Sequence, residues 1–288
     1  MSSSGKKLLR QIRGAERVGL TRFRLDDLYH YLLDAPWSRL LGLVLALYLA
    51  SNALFAAAYL ATSGGIENAR EGSFVDAFFF SVQTMATIGY GKMVPRGLAA
   101  DALVATEALF GLLGFAFATG LIFAKFARPT ARVLWSEVCV VSTRDGMRSL
   151  MLRAANERRN QIAEAQMRLS LLVSETTDEG ERVRRFHDLR LVRSSNAIFA
   201  LTWTVVHPID GASPLANHTP ESLRAADAQL VASLTGIDET FSQTVHARCS
   251  WDASEILWGR RFVDIIETLP DGRRRVDYAR FHDTMPWP

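Results

Sequence analysis

Thr87, Ile88, Gly89, Tyr90 and Gly91 are the residues of this 288-residue chain whose types and spacing could do chemistry. The chemistry would be that of backbone carbonyls. A row of carbonyl oxygens aimed at one axis replaces the water shell of a desolvated cation such as potassium. Successive carbonyls point the same way only where the backbone alternates between mirror-related conformations. Glycine reaches φ > 0 without a Cβ clash, so Gly89 and Gly91 suit alternate positions. Thr87 adds a hydroxyl at one end of the row, and Tyr90 can turn its ring outward against a supporting helix. One subunit cannot enclose an axis, whereas four copies around it can, so the mechanism expects a homotetramer.

Such a segment needs scaffolding. Ser73 is a good N-cap and Asp76 follows three residues later, the pattern of a capping box, which predicts a helix from Phe74 to about Met85. It is too short to cross a bilayer and must dip in and return. Bare backbone at that depth survives only where protein or a water-filled path surrounds it. The helix C-terminus carries about half a negative charge, which favours a cation nearby.

The scaffold extends to both sides. Residues 40–61 carry no charge and are long enough, at about 1.5 Å per residue, to cross a hydrocarbon core of roughly 30 Å. Trp37 and Tyr59 stand near the two ends, where amphipathic rings favour the interface. A second candidate span covers residues 98–126, with Asp101 and Glu107 in its first part. An ionisable group there is costly in lipid, so Glu107 is expected behind the carbonyl row, bonded to polar groups. Before the first span residues 26–34 read as a short surface helix, with Leu28, Leu32 and Leu33 on the apolar face and Asp26, Asp27 and His30 outside it.

Lys6, Lys7, Arg10, Arg13, Arg17, Arg22, Arg24 and Arg39 precede the first span, and Lys125, Arg128 and Arg132 follow the second. Only Arg70, Lys92 and Arg96 lie between. This asymmetry predicts a multi-pass membrane protein with both termini cytoplasmic. The polar, basic start is not expected to be a cleaved signal peptide.

Hydrophobic residues make up 49% of the chain, which fits a division between lipid and water. A net charge of +3 is too small to argue for nucleic acid, and no nucleic-acid partner is expected. Cys139 and Cys249 have no metal-ligand spacing around them, no phosphate loop is present, and no nucleophile is placed with a base. The expectation is a protein that is not an enzyme and needs no cofactor beyond the permeant ion. After residue 129 the pattern turns to strands: 166–173, with Met167, Leu169 and Leu171 on one face, then 182–192, 200–206 and 241–249. Pro208 to Gly211 reads as a turn, and Pro270-Asp271-Gly272 joins a hairpin of 265–269 with 273–278. Thr219 and Pro220 open a helix expected to run to about Leu230. Together these predict an all-β sandwich of roughly 160 residues.

At these residues the chain resembles the bacterial inward-rectifier potassium channels, the KirBac family. The resemblance covers nearly the whole chain. It rests on FFFSVQTMATIGYG over residues 78–91, Arg128-Pro129-Thr130, RFHDL over 185–189 and WTVVHPID over 203–210. It implies a voltage-independent inward rectifier: a two-span pore domain of outer, pore and inner helix over 37–128, behind a cytoplasmic segment with a slide helix over 1–36. An immunoglobulin-like cytoplasmic sandwich follows over 129–288, and the whole is a homotetramer. Potassium is implied at Thr87, Ile88, Gly89 and Tyr90. Phe123 matches the inner-helix crossing where an aromatic narrows the pore. Phe115 matches the cavity position that is acidic in strongly rectifying relatives, so strong polyamine block is not implied here. Thr119 lies between them on the same i, i+4 row, and Gly111 and Gly120 are candidate bend points or close-packing positions. Lys125, Arg128 and Arg132 are implied to meet anionic lipid headgroups, phosphoinositides among them. His187, His207, His246 and His282 are read as structural. Other readings are a non-selective cation channel, which usually lacks the Gly-Tyr-Gly end, and a membrane-anchored binding module, which needs no re-entrant helix.

Overall fold

The computed structural model describes residues 28–62, 64–128 and 130–287, in two units that meet in sequence at Arg128. Asp26, Asp27, Pro129 and the basic residues from Lys6 to Arg24 lie outside the described residues.

In the first unit helix α1 spans Leu28–Asp34 and helix α2 Trp37–Ala61. Pro36 separates them, since its ring fixes φ and disfavours a helical residue before it. Leu33 is buried, Leu32 is half-buried and Leu28 is exposed, so the expected apolar face of α1 is only partly covered. The first span starts earlier than residue 40, because Arg39 fits within the opening turn with its side chain exposed. Helix α3 covers Phe74–Met85 and helix α4 Leu98–Phe126, as expected. Strands β1 (Ile66–Glu67) and β2 (Val94–Pro95) pair antiparallel and close the excursion between α2 and α4. Leu45, Leu47, Leu54, Leu109 and Leu112 are all more than half exposed. Apolar surface on this scale, along helices of bilayer-spanning length, fits a lipid environment.

Two expectations are corrected here. Ser73 does cap α3, its side chain accepting from the Asp76 amide at 3.2 Å. The reciprocal half of the box is missing, because the Asp76 carboxylate accepts instead from the amide and guanidinium of Arg70 at 2.8–2.9 Å. Tyr59 is not an interfacial anchor. It is 1% exposed and packs edge-on against Phe80 of α3, with ring centroids 5.1 Å apart.

The second unit is a sandwich of two five-stranded sheets. Its strands are β3 (Val133–Trp135), β4 (Cys139–Arg144), β5 (Met147–Asn156), β6 (Ile162–Thr176), β7 (Arg182–Leu189), β8 (Ser195–Phe199) and β9 (Thr202–Pro208). Helix α5 (Pro220–Ala225) follows, then β10 (Gln229–Asp238), β11 (Gln243–Asp252) and β12 (Ile256–Trp258). One sheet has the order β12-β4-β5-β3 with β9 on β5; the other is β11-β10-β6-β7 with β8 on β6. Strand β6 is longer than expected, and its inward face carries Met167, Leu169, Leu171 and Val173, all buried. Opposite it Gly236 sits at a break in register, where a Cβ would come within 2.5 Å of the Ile162 side chain. Trp135 and Trp251 meet edge-on in the core, and Cys139 and Cys249 are buried among the same side chains. Burial pushes the Cys139 thiol well above its ordinary pKa, as suits a packing residue.

The short pieces β13 (Arg260–Phe262) with β16 (Thr284–Pro286), and β14 (Ile266–Thr268) with β15 (Arg274–Val276), complete the unit. The β14–β15 hairpin is the one expected, with shorter strands. The helix expected from Thr219 to Leu230 is wrong in its second half. Thr219 and Ser222 form a full capping box, but the helix stops at Ala225. Asp227 takes φ 48°, and Leu230 enters β10, fully buried between Leu171 and Trp251. Sheet pairing therefore overrides helix propensity there.

The four histidines each have a partner. His207 Nδ1 donates to the Arg190 carbonyl at 2.6 Å and Nε2 accepts from the Ser213 hydroxyl at 2.7 Å, which fixes the neutral tautomer. Burial lowers its pKa in keeping with that state. His187 meets Glu175, His246 meets Thr235, and His282 accepts from the Glu137 amide.

Candidate functional site

The segment after α3 folds back on that helix through its amides. Thr87 N–H donates to the Thr84 carbonyl at 3.0 Å, and Ile88 N–H to that of Gln83 at 2.8 Å. Gly89 N–H reaches the same Gln83 oxygen at 3.4 Å. In a trans peptide N–H and C=O point in opposite directions, so the carbonyls of Ala86, Thr87 and Ile88 are turned away from α3. Positive φ recurs at every second residue: 55° at Thr87, 55° at Gly89 and 75° at Gly91, with Ile88 and Tyr90 outside that region. This is the alternation that aligns carbonyls. The glycines were legible in the sequence; Thr87 was not, because a β-branched residue is a poor occupant of left-handed backbone. Its hydroxyl bonds the Ala86 carbonyl at 2.8 Å. Tyr90 is 76% exposed in one chain, so the short helix of its own chain does not cover its ring.

Behind the segment lies a buried polar group. Glu107 on α4 meets the Tyr59 hydroxyl of α2 at 2.5 Å and the Ser81 hydroxyl of α3 at very close range. All three side chains are 0–1% exposed. Glu107 thus sits where expected, away from lipid and held by polar partners. Asn52 extends the group, with Ser81 3.0 Å from its Oδ1 and its Nδ2 donating to the Tyr48 carbonyl at 2.7 Å. Gly111 packs against the end of α3, where a Cβ would stand 2.7 Å from the Met85 carbonyl oxygen; around Gly120 there is open space. Close packing therefore accounts for Gly111 without a bend.

Phe115 and Phe123 are 75% and 71% exposed, and Thr119 between them is exposed too. None of the three is buried by its own chain. Lys125, in the last turn of α4, donates to the Leu33 and Ala35 carbonyls at 2.7 and 2.5 Å, closing the C-terminal end of α1. Arg128 pairs with Asp34 at 2.5 Å and Arg132 is exposed. Among the described residues no three His, Cys, Asp or Glu side chains form a metal-binding group.

Residues 43–128 match the family described as "Ion channel", and residues 133–287 match "Inward rectifier potassium channel C-terminal domain". The chain is 54% identical, over 93% of its length and 91% of the relative's, to "Inward rectifier potassium channel Kirbac3.1" of Paramagnetospirillum magnetotacticum. It is 33% identical, over 92% of its length and 72% of the relative's, to "G protein-activated inward rectifier potassium channel 3" of Mus musculus. "Inward rectifier potassium channel 18" of Homo sapiens matches at 33% over 92% of the chain and 66% of the relative. The two membrane-length helices and the β sandwich agree with these matches, and the chain belongs to the inward rectifier potassium channel family.

Proposed function

We propose that potassium crosses the inner membrane through a ring of four copies of residues 87–91, with ions held by carbonyls of Thr87, Ile88, Gly89 and Tyr90. The observation that carries this reading is the alternation of φ at Thr87, Gly89 and Gly91 together with amides tied back to α3. The fixed carbonyls substitute for an ion's water shell, and several adjacent sites let ions displace one another. Phe123 forms the inner constriction, with Thr119 and Phe115 lining the cavity above it. Both termini are cytoplasmic, residues 1–36 leading into the pore domain over 37–128 and the β domain over 129–288. The permeant ion is the one ligand required.

Flux through purified protein in liposomes tests the reading. Potassium and rubidium should pass, sodium should not, and barium should block. Equal sodium and potassium permeation would defeat it. In mild detergent the particle mass should be four times the 32.0 kDa chain; a functional monomer or dimer would be incompatible with the ring.

Anionic lipid acts at the end of α4. The Lys125 ammonium is engaged by the α1 carbonyls, so Arg128 and Arg132 are the groups that meet lipid phosphates, and Asp34 competes for Arg128. Attraction of about 1 kcal/mol per basic residue gives about 2 kcal/mol for the pair, roughly thirtyfold in affinity. The double variant Arg128→Gln, Arg132→Gln should therefore lose most of the response of flux to phosphatidylinositol bisphosphate. An unchanged response would place the lipid site elsewhere.

A further inference from the structure

The buried group behind the carbonyl row contains more contacts than hydroxyl protons. Three oxygen–oxygen contacts each need a proton between them: Tyr59 with Glu107 Oε2, Ser81 with Glu107 Oε1, and Ser81 with Asn52 Oδ1. Tyr59 and Ser81 bring one proton each. The Asn52 amide brings two, but both are engaged, one at the Tyr48 carbonyl and one at the Met85 sulfur, 2.7 and 3.5 Å away. Turning the amide over would set its oxygen 2.7 Å from the Tyr48 carbonyl oxygen, two acceptors face to face, so its orientation is fixed.

We infer that the third proton resides on Glu107, which acts as a neutral, proton-donating acid and as a positioning residue for the carbonyl row. The positioning half rests on the filter reading above; the proton count does not. The bonds then run in one direction. Tyr59 donates to Oε2, Glu107 donates from Oε1 to Ser81, and Ser81 donates to Asn52. No member is left without a partner, in a place where an unpaired polar group is costly and water is excluded.

This line of bonds joins α2, α3 and α4. Tyr59 and Asn52 belong to α2, Glu107 to α4, and Ser81 and Met85 to α3. It fixes how α3 is rotated and how far it reaches. The carbonyls of Gln83 and Thr84 on α3 in turn hold the amides of Thr87, Ile88 and Gly89. Glu107 touches no permeating ion; it acts through α3 on the residues that do.

The test compares Glu107→Gln with Glu107→Leu in the full-length channel. Glutamine repeats the neutral acid's pattern, its Nε2 donating to Ser81 and its Oε1 accepting from Tyr59. Leucine leaves the Tyr59 hydroxyl without an acceptor and removes the donor to Ser81, which keeps only its bond to Asn52. Glu107→Gln should keep potassium-over-sodium discrimination in liposome flux, and Glu107→Leu should lose it in those tetramers that survive. A merely structural role would lower the melting temperature of Glu107→Leu without changing the ion ratio of surviving tetramers, and that outcome would overturn the positioning role. Infrared difference spectra of wild type minus Glu107→Gln at neutral pH should contain the carbonyl stretch of a protonated carboxylic acid, shifted in heavy water. Absence of that band, or loss of discrimination in Glu107→Gln equal to that in Glu107→Leu, would overturn the neutral acid. If the wild type itself fails to discriminate, the filter reading fails, while the infrared band still reports on the proton.

Discussion

Gly89→Ala is expected to abolish potassium-selective flux while the tetramer still assembles. A Cβ at Gly89 would find nothing within 4 Å in its own chain, so the substitution is not opposed by a clash there. The opposition is conformational. Gly89 has φ 55°, and a residue with a side chain in left-handed backbone is less stable by about 1–2 kcal/mol. Four copies around one axis multiply this to about 4–8 kcal/mol per channel. Turning the peptide to negative φ relieves the strain, but it swings a carbonyl off the axis and breaks the row. Thr87 tolerates the same conformation because its amide is tied to Thr84 and its hydroxyl to Ala86. Gly89 has only the longer bond to Gln83, at 3.4 Å. Loss of rubidium flux with an unchanged particle mass is the expected result. Full potassium-over-sodium selectivity in Gly89→Ala would show that the carbonyl row is not what discriminates.

Phe123→Ala is expected to raise flux and leave selectivity intact. In the constriction proposed above, four phenyl rings at a narrow neck would exclude water, and an ion cannot shed its hydration there without replacement ligands. The carbonyl row supplies such ligands; a ring of phenyl groups does not. Phe123 is 71% exposed in one chain, so no helix of that chain covers it. The competing possibility is packing against a neighbouring subunit. The substitution would then act as a large-to-small change in a core, lowering stability by about 3–5 kcal/mol. Flux per surviving tetramer separates the two. No increase, together with a lowered melting temperature, would make Phe123 a packing residue and move the constriction to another level, with Phe115 the next candidate.

How much of this molecule is written locally can be judged residue by residue. The start of α3 follows from a neighbouring side chain, Ser73 before a short apolar run, and α4 from an apolar run of spanning length. Gly89 and Gly91 announce left-handed backbone by lacking a Cβ, and the inward face of β6 follows from simple alternation. Other features have no local signature. The Asp145-Gly146 turn joining β4 to β5, with φ 50° and 78°, is an exception: its Asp-Gly pair is a local hairpin signal absent from the expectations above. The role of Tyr59 depends on Glu107, 48 residues away, and that of Asp76 on an arginine six residues before it.

The sequence alone thus determined the two spans, the half-length helix, the glycine positions and the β character of the second unit, because each depends on charge, cap or periodicity within a few residues. Only the tertiary structure decided that Thr87 joins the left-handed positions, that α5 ends at Ala225 so that Leu230 can enter a sheet, and that Tyr59, Ser81, Asn52 and Glu107 share one line of bonds. For Leu230 and for the buried line of bonds the physical reason is the same. A hydrogen bond or a buried contact between residues far apart in the chain outweighs a local preference of a few tenths to about 1 kcal/mol, and sequence spacing carries no record of which distant partner will be met.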